Sequence, residues 1–203
     1  MTEKEKMLAG KVYDSSDGEL TLLRQQAHAL CAEYNSTLET ETEKRRKILN
    51  KLLPKAHSSA YIQGAIAFDY GENTEIGENC YFNFNLTVLD CCPVKIGDNV
   101  LVGPNVSLLT PVHPLRYQQR NIRVKADGTA YDYEYAKPIV IGSNCWLAGN
   151  VTVIGGVTIG EGCVIGAGSV VTLDIPPHSL AVGNPCRVVR QITEADRLDG
   201  IDE

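Results

Sequence analysis

A six-residue period runs through the C-terminal half of the chain. Ile141, Leu147, Val153, Ile159, Ile165 and Val171 fall in unbroken register, and a small or medium side chain follows each of the first five by four residues, at Cys145, Val151, Val157, Cys163 and Ser169. Glycine follows the large residue directly at Gly142, Gly160 and Gly166. The same register recurs at Ile96, Val102 and Leu108 and, with Cys80 and Leu86 in the second slot, at Ile76, Phe82 and Val88. Six residues are too few for a helical repeat unit, but they suit one short strand and one turn. Three such units close a triangular coil of about 18 residues, and the coils stack as parallel sheets. The expected core is a solenoid over most of residues 60 to 175, with one large side chain per unit turned inward. Cys145 and Cys163 are one coil apart, so they are expected on neighbouring rungs roughly 4.8 Å from each other, as packed ladder members.

Two interruptions break the register: a two-residue excess near Asp90-Cys91-Cys92-Pro93 and a longer segment from Thr110 to Pro138. A long insertion in a stacked array is usually functional. This one carries Arg116, Arg120, Arg123, Lys125 and the tyrosines Tyr117, Tyr131, Tyr133 and Tyr135, with Asp127-Gly128 as a turn. Upstream the chain reads as helical, with capping boxes pairing Thr2 with Glu5, Ser16 with Glu19 and Thr40 with Glu43. Behind the second box, Leu20, Leu23, Ala27, Leu30, Cys31 and Tyr34 form one apolar stripe. Behind the third, Ile48, Leu49 and Leu52 do the same, with Glu41/Arg45 and Glu43/Lys47 at i,i+4 spacing. The expected plan is a helical subdomain over 1–55, a β-helix over 56–189 with a protruding loop at 110–138, and a tail over 190–203.

Composition narrows the class further. At 43% hydrophobic and 22% charged, the 203 residues are those of a globular chain, and a formal charge of −6, with Lys and Arg scattered among a larger number of acids, argues against a nucleic-acid surface while leaving room for local basic patches. No run approaches the roughly 18 apolar residues of a membrane span. The opening Met1-Thr2-Glu3-Lys4-Glu5-Lys6 lacks the apolar core of a secretion signal, so a cytoplasmic location is expected. The seven cysteines include the adjacent Cys91 and Cys92 but no CxxC pair. They read as small buried side chains, with neither disulfides nor a metal expected.

Of the four histidines, His28, His57, His113 and His178, only His113 lies where the coils open into the long loop, between Pro111 and Pro114, which restrict the backbone. A neutral imidazole with an ordinary pKa near ~6.5 suits removal of a hydroxyl proton.

The chain as a whole resembles the galactoside and maltose O-acetyltransferases. The matching pieces are Met7 to Tyr13, Asn83-Phe84-Asn85-Leu86, Ile96-Gly97-Asp98-Asn99-Val100, His113-Pro114, Lys137-Pro138-Ile139, Trp146, Ile165 to Val171 and Gly183-Asn184-Pro185-Cys186-Arg187. The resemblance implies a left-handed parallel β-helix and an acetyl-CoA-dependent O-acetyltransferase acting on a small sugar, a homotrimer with active sites between neighbouring prisms. It implies that His113 is the general base and that Asn83 lies beside it, contacting the acceptor hydroxyl or the developing oxyanion, with Asn85 in a buried structural ladder. Glu134 is a candidate to orient His113. Around the acceptor it implies Asp14 or Ser15, Asp69, Tyr81 and the Asp90-Cys91 pair, with Ser15 and Cys91 standing where the galactoside enzyme has acids. For coenzyme A it implies an extended groove with Asn83, Gly149, Ala167, Thr172 and Leu173, phosphate contacts from Arg187 and Arg190, and Trp146 shaping the groove. Against a carbonic anhydrase on this fold stands the lack of three histidines for zinc. A hexapeptide acetyltransferase with a non-sugar acceptor and a non-catalytic scaffold are the alternatives.

Overall fold

The computed structural model describes residues 1–200, so the last three residues of the expected tail lie outside it. Its body is a three-sided parallel β-helix. The first face stacks Lys55–Ala56, Thr74–Ile76, Val94–Ile96, Ile139–Ile141 and Thr158–Ile159. The second stacks Tyr61–Ile62, Tyr81–Phe82, Leu101–Val102, Trp146–Leu147, Val164–Ile165 and Ser179–Val182, and Arg187–Gln191 adds an antiparallel strand at the end. The third stacks Ile66–Phe68, Leu86–Leu89, Ser107–Leu109, Thr152–Ile154 and Val170–Val171. The solenoid thus begins one coil earlier than the clearest repeats.

Each large member of the hexapeptide register points inward. Ile141, Leu147, Val153, Ile159, Ile165 and Val171 are at most 1% exposed, and Cys145, Val151, Val157, Cys163 and Ser169 are buried beside them. Full burial of one such aliphatic chain contributes about 1.5–3 kcal/mol, so the core is a sum of many equal rungs. Cys145 and Cys163 sit on adjacent rungs, with Trp146 N donating to Cys163 O at 2.8 Å. Their thiols donate to Gly160 O at 3.0 Å and Pro176 O at 3.1 Å. All seven cysteines are buried and free. The glycines after the inward residues answer to crowding: a Cβ at Gly142 would stand 2.6 Å from Glu161 N of the next rung. The left-handed backbone at the turns falls mostly to asparagine, at Asn79, Asn99 and Asn144 on one edge and Asn85, Asn105 and Asn150 on another.

Three helices precede the solenoid: α2 (Gly18–Asn35) and α3 (Thr42–Leu52) cap the first coil, and α1 (Glu3–Leu8) packs against α2 and the inserted segments, where Met7 is buried with Tyr70, Cys91 and Ala136. The Thr2/Glu5 capping box forms, whereas α2 is capped by Asp17, one residue after Ser16, and α3 starts at Thr42 without a side-chain cap. Arg45 does not pair with Glu41. It turns inward, is 7% exposed, and donates to Tyr34 Oη, Ile62 O and Gln63 O. Asn35 both donates to Ile66 O and accepts from Ile66 N. These bonds satisfy backbone groups that an open solenoid end would leave unpaired. No helix among the described residues is long and apolar enough to cross a membrane.

Candidate active site

The insertions share one edge. Between the third and first faces the chain takes eight residues instead of six from Phe68 to Ile76 and again from Val88 to Ile96, and it runs from Leu108 to Ile139 in the next coil. Residues 69–73, 90–93 and 110–138 therefore stack above one another on this edge, and the N-terminal segment is drawn onto them. Pro111–Val112 pairs with Tyr133–Ala136, which pairs on its other side with Tyr13–Asp14.

This antiparallel ribbon sets the local chemistry. His113 follows the ribbon with its side chain half exposed, and its Nδ1 lies 3.8 Å from Asp132 Oδ2. Asp132 Oδ1 accepts from Ser15 Oγ at 2.7 Å. Next to Ser15, Asp14 accepts from Lys125 Nζ at 2.6 Å and from Ser16 Oγ at 2.7 Å. Burial works to raise the Asp14 carboxyl, but the hydrogen bonds from Lys125 and Ser16 outweigh it and hold it below its ordinary value. From α2, Arg24 donates to Ser15 O at 3.1 Å and to Tyr70 Oη at 2.9 Å. One turn on, His28 Nε2 stands 3.6 Å from Asp69 Oδ1, whose other oxygen accepts from Cys91 Sγ at 3.5 Å. Glu134 is half-buried on the same ribbon; burial pushes its carboxyl up, and the positive charge of a protonated His113 works against that rise. The buried Tyr13 hydroxyl lies beside Cys91 and Glu134 but closes no hydrogen bond of good geometry among the described residues.

The edge between the second and third faces is built differently. Asn83, Gly103, Ala148 and Gly166 directly follow inward residues on successive coils, Gly149 and Ala167 come one position later, and Gly183 follows Ala181-Val182 on the last coil, with Asn83 N donating to Val102 O, Gly103 N to Leu147 O and Gly168 N to Gly149 O. From Asn83 to Gly183 this is four rungs, on the order of 19 Å at ~4.8 Å each. Its side chains are small, and a Cβ added at Gly149 would meet only Pro104, at 3.5 Å. Beside it, on the second face, Tyr61, Tyr81, Leu101 and Trp146 stack outward in register, and Trp146 is 51% exposed. Arg187 pairs with Val182 at the foot of this edge.

Comparison with known proteins sharpens the picture. Residues 6–57 match the maltose acetyltransferase hexapeptide capping motif, residues 71–110 the hexapeptide repeat of succinyl-transferase, and residues 138–172 the bacterial transferase hexapeptide. The galactoside O-acetyltransferase of Escherichia coli K12 is 40% identical over 197 residues, 97% of this chain and 93% of that protein. The chain belongs to the galactoside and maltose O-acetyltransferase family. A maltose O-acetyltransferase structure from Clostridium difficile 630 superposes with a TM-score of 0.88 at 46% identity, covering 96% of this chain and 99% of that one. A galactoside acetyltransferase in complex with coenzyme A gives 0.89 at 38% identity, covering 100% and 97%. Membership makes the chain an acetyl-CoA-dependent O-acetyltransferase.

Within this O-acetyltransferase the expected site residues divide between two edges. Asp14, Ser15, Asp69 and His113 gather on the insertion edge, and Thr172 and Leu173 lie on it too, after Val170–Val171. Asn83, Gly149 and Ala167 lie on the other edge, with Tyr81 and Trp146 beside them on the second face. Asn83 and His113 are not neighbours within one chain, because the third face separates them; its strand Leu86–Leu89 alone spans on the order of 13 Å. Asp90 is not at the mouth of a cleft. It is fully buried, accepting from Tyr70 N, Gly71 N and Thr74 Oγ1, and it holds the inserted turn. Asn85 belongs to a turn ladder, donating to Asn105 Oδ1 at 2.9 Å, but an exposed one. Arg190 is held by Asp196 through both guanidinium nitrogens, at 2.7 and 2.5 Å. Sequence reasoning missed Arg24, His28 and Asp132. Arg24 and His28 carry a readable signal, an arginine and a histidine four residues apart beside the apolar stripe of α2.

Proposed function

We propose that this O-acetyltransferase transfers the acetyl group to a hydroxyl of a small sugar of the maltose, glucose or galactoside type, as a homotrimer whose sites form between subunits. The acceptor class rests on the relatives, named for galactoside and maltose. One observation carries the assembly: His113 stands on one edge of the third face and the small-residue coenzyme edge on the other, too far apart for one chain to complete the site. A three-fold arrangement of prisms brings the insertion edge of one subunit against the coenzyme edge of the next.

In that arrangement His113 Nε2 takes the proton of the acceptor hydroxyl as its oxygen attacks the thioester carbonyl. The carboxylate near Nδ1 favours the imidazolium that results. The neighbour's Asn83 amide donates to the carbonyl oxygen as it gains negative charge. Collapse of the tetrahedral adduct breaks the carbon–sulfur bond, and the imidazolium returns its proton to the departing thiolate. Asp14, Ser15 and Asp69 border the acceptor, while Gly149 and Ala167 leave their backbone open to the pantetheine. Arg187 faces the phosphates with the paired donors that suit them.

The test is a panel of sugars incubated with acetyl-CoA and a thiol reagent. Acceptor-dependent release of free coenzyme supports the reading, and its absence across the panel overturns the sugar assignment. Light scattering at micromolar concentration tests the trimer, and a monomer there sinks the shared site.

A further inference from the structure

We infer that Asp132 is the positioning residue of His113, and that Ser15 holds Asp132 in place for that task. The inference rests on His113 being the general base. A base that takes a proton at Nε2 needs its other nitrogen fixed, so that ring orientation and tautomer are set before the acceptor arrives. Only a hydrogen-bond acceptor facing Nδ1 does this. Asp132 Oδ2 faces Nδ1 at 3.8 Å, within ion-pair range and longer than a hydrogen bond. Catalytic contacts of free enzymes are often long and shorten in the substrate complex.

The second oxygen of Asp132 does the anchoring. Oδ1 accepts the Ser15 hydroxyl proton at 2.7 Å, across the ribbon formed by Tyr13–Asp14 and Tyr133–Ala136. Ser15 is itself held through its carbonyl by Arg24. The carboxylate is therefore tied to the helical subdomain while its free oxygen points at the imidazole. Ser15 donates its proton to Asp132, which makes it part of the base's support at the border of the acceptor site. Ser15 and Asp132 divide between a hydroxyl and a loop carboxylate what one acid on the N-terminal segment could do alone.

The other charged groups around the pair have different duties. Asp14 is paired with Lys125, and Arg24 is engaged with Ser15 O and Tyr70. Glu134, two residues further along the chain, feels the charge of His113, but among the described residues no hydrogen bond or ion pair links it to the imidazole, whose Nδ1 faces Asp132 instead.

The experiment uses the full-length enzyme with acetyl-CoA and whichever sugar the panel selects, comparing Asp132→Asn, Asp132→Glu, Ser15→Ala, Glu134→Gln and His113→Ala after folding is verified by thermal melting. Asp132→Asn should lower kcat about 10- to 100-fold, less than the ~10⁴ of a fully buried triad aspartate, because this carboxylate is partly solvated. The KM for acetyl-CoA should stay within about twofold of wild type. Loss of a negative charge makes the imidazole harder to protonate, so the acid limb of kcat/KM for the sugar should move to lower pH. Asp132→Glu should restore part of the rate, and Ser15→Ala should shift kcat in the same direction by a smaller factor. If Asp132→Asn keeps wild-type kcat and an unmoved acid limb while His113→Ala is inactive, Asp132 does not position the base. The same holds if Glu134→Gln, in place of Asp132→Asn, gives the loss and the shift. If His113→Ala itself keeps turnover, the general-base reading fails instead.

Discussion

If His113 and Asn83 meet only across a subunit boundary, two inactive chains should make an active enzyme. His113→Ala removes the base and should lower kcat by about 10² to 10⁴, and Asn83→Ala removes the oxyanion donor and should lower it by about 10² to 10³. Each homotrimer then runs at or below roughly 1% of wild type. In a cyclic trimer every site takes its base from one chain and its amide from the next. When the two variants assemble at random in equal amounts, about one site in four receives an intact His113 and an intact Asn83, from different chains. The mixture should therefore recover about a quarter of wild-type kcat, a gain of about 25-fold or more over either parent. The assay is co-expression of the two chains in equal amounts, purification of the whole trimer population through a tag common to both, and acceptor-dependent release of coenzyme thiol. A second mixture separates the geometries by number. The doubly substituted chain diluted with an equal amount of wild type leaves about one site in four intact for a shared site, but about one in two for a site within one chain. Mixed trimers that recover nothing, together with one-half activity in the dilution, would refute the split-edge geometry.

Other perturbations test separate parts of the argument. Gly149→Ala should leave thermal stability nearly unchanged, since its Cβ meets only Pro104 at an ordinary distance, yet raise the KM for acetyl-CoA above that for sugar; equal effects would remove Gly149 from the coenzyme edge. Arg187, with no acid partner among the described residues, should matter more for acetyl-CoA than Arg190, which Asp196 already occupies; the reverse order in KM would overturn the phosphate assignment. Cys145→Ala and Cys163→Ala should each cost about 1–2 kcal/mol in denaturant unfolding through lost packing without abolishing turnover. A folded but dead variant would reopen a thiol mechanism. Because burial raises the Glu134 carboxyl, the folded state pays for its charge only above the ordinary glutamate range near ~4.3, and stability falls as pH rises through the raised value. Glu134→Gln removes that penalty, so its melting temperature relative to wild type should climb as pH rises above the ordinary glutamate value near ~4.3, and a constant difference would contradict the shift.

The solenoid was legible because its determinants are local and repeated. Every member of the inward register from Ile141 to Val171 is buried, and the phase of one coil predicts the next. Helix starts were less legible. Ser16 and Thr40 fit a capping box by spacing, but Asp17 reaches Glu19 N and Leu20 N from one position later. The helix follows whichever side chain meets its first amides in three dimensions. Arg45 shows the same limit: Glu41 lies at favourable helical spacing, yet the unpaired carbonyls of Ile62 and Gln63 at the solenoid's open end take the guanidinium instead.

The site was half legible, and the division follows from how each half is encoded. Units run in threes, so the residues directly after Phe82, Val102, Leu147 and Ile165 share an edge by counting alone, which lines up Asn83, Gly103, Ala148 and Gly166 and puts Gly149 and Ala167 one position further along the same edge. Counting equally places the excess after Val88 and the insertion after Leu108 on another edge, while the matching excess after Phe68 shows only once the strands are paired. Applied to both sets, the same count puts Asn83 and His113 on different edges, so the shared site follows from register before any contact is known. What the count cannot supply is the bonding inside the insertions. Ser15 meets Asp132 because Tyr13 pairs with Glu134 and Asp14 with Tyr133, a two-residue antiparallel pairing between segments more than a hundred residues apart. No periodicity announces a strand so short, and its register alone decides which carboxylate of the loop faces Nδ1 of His113.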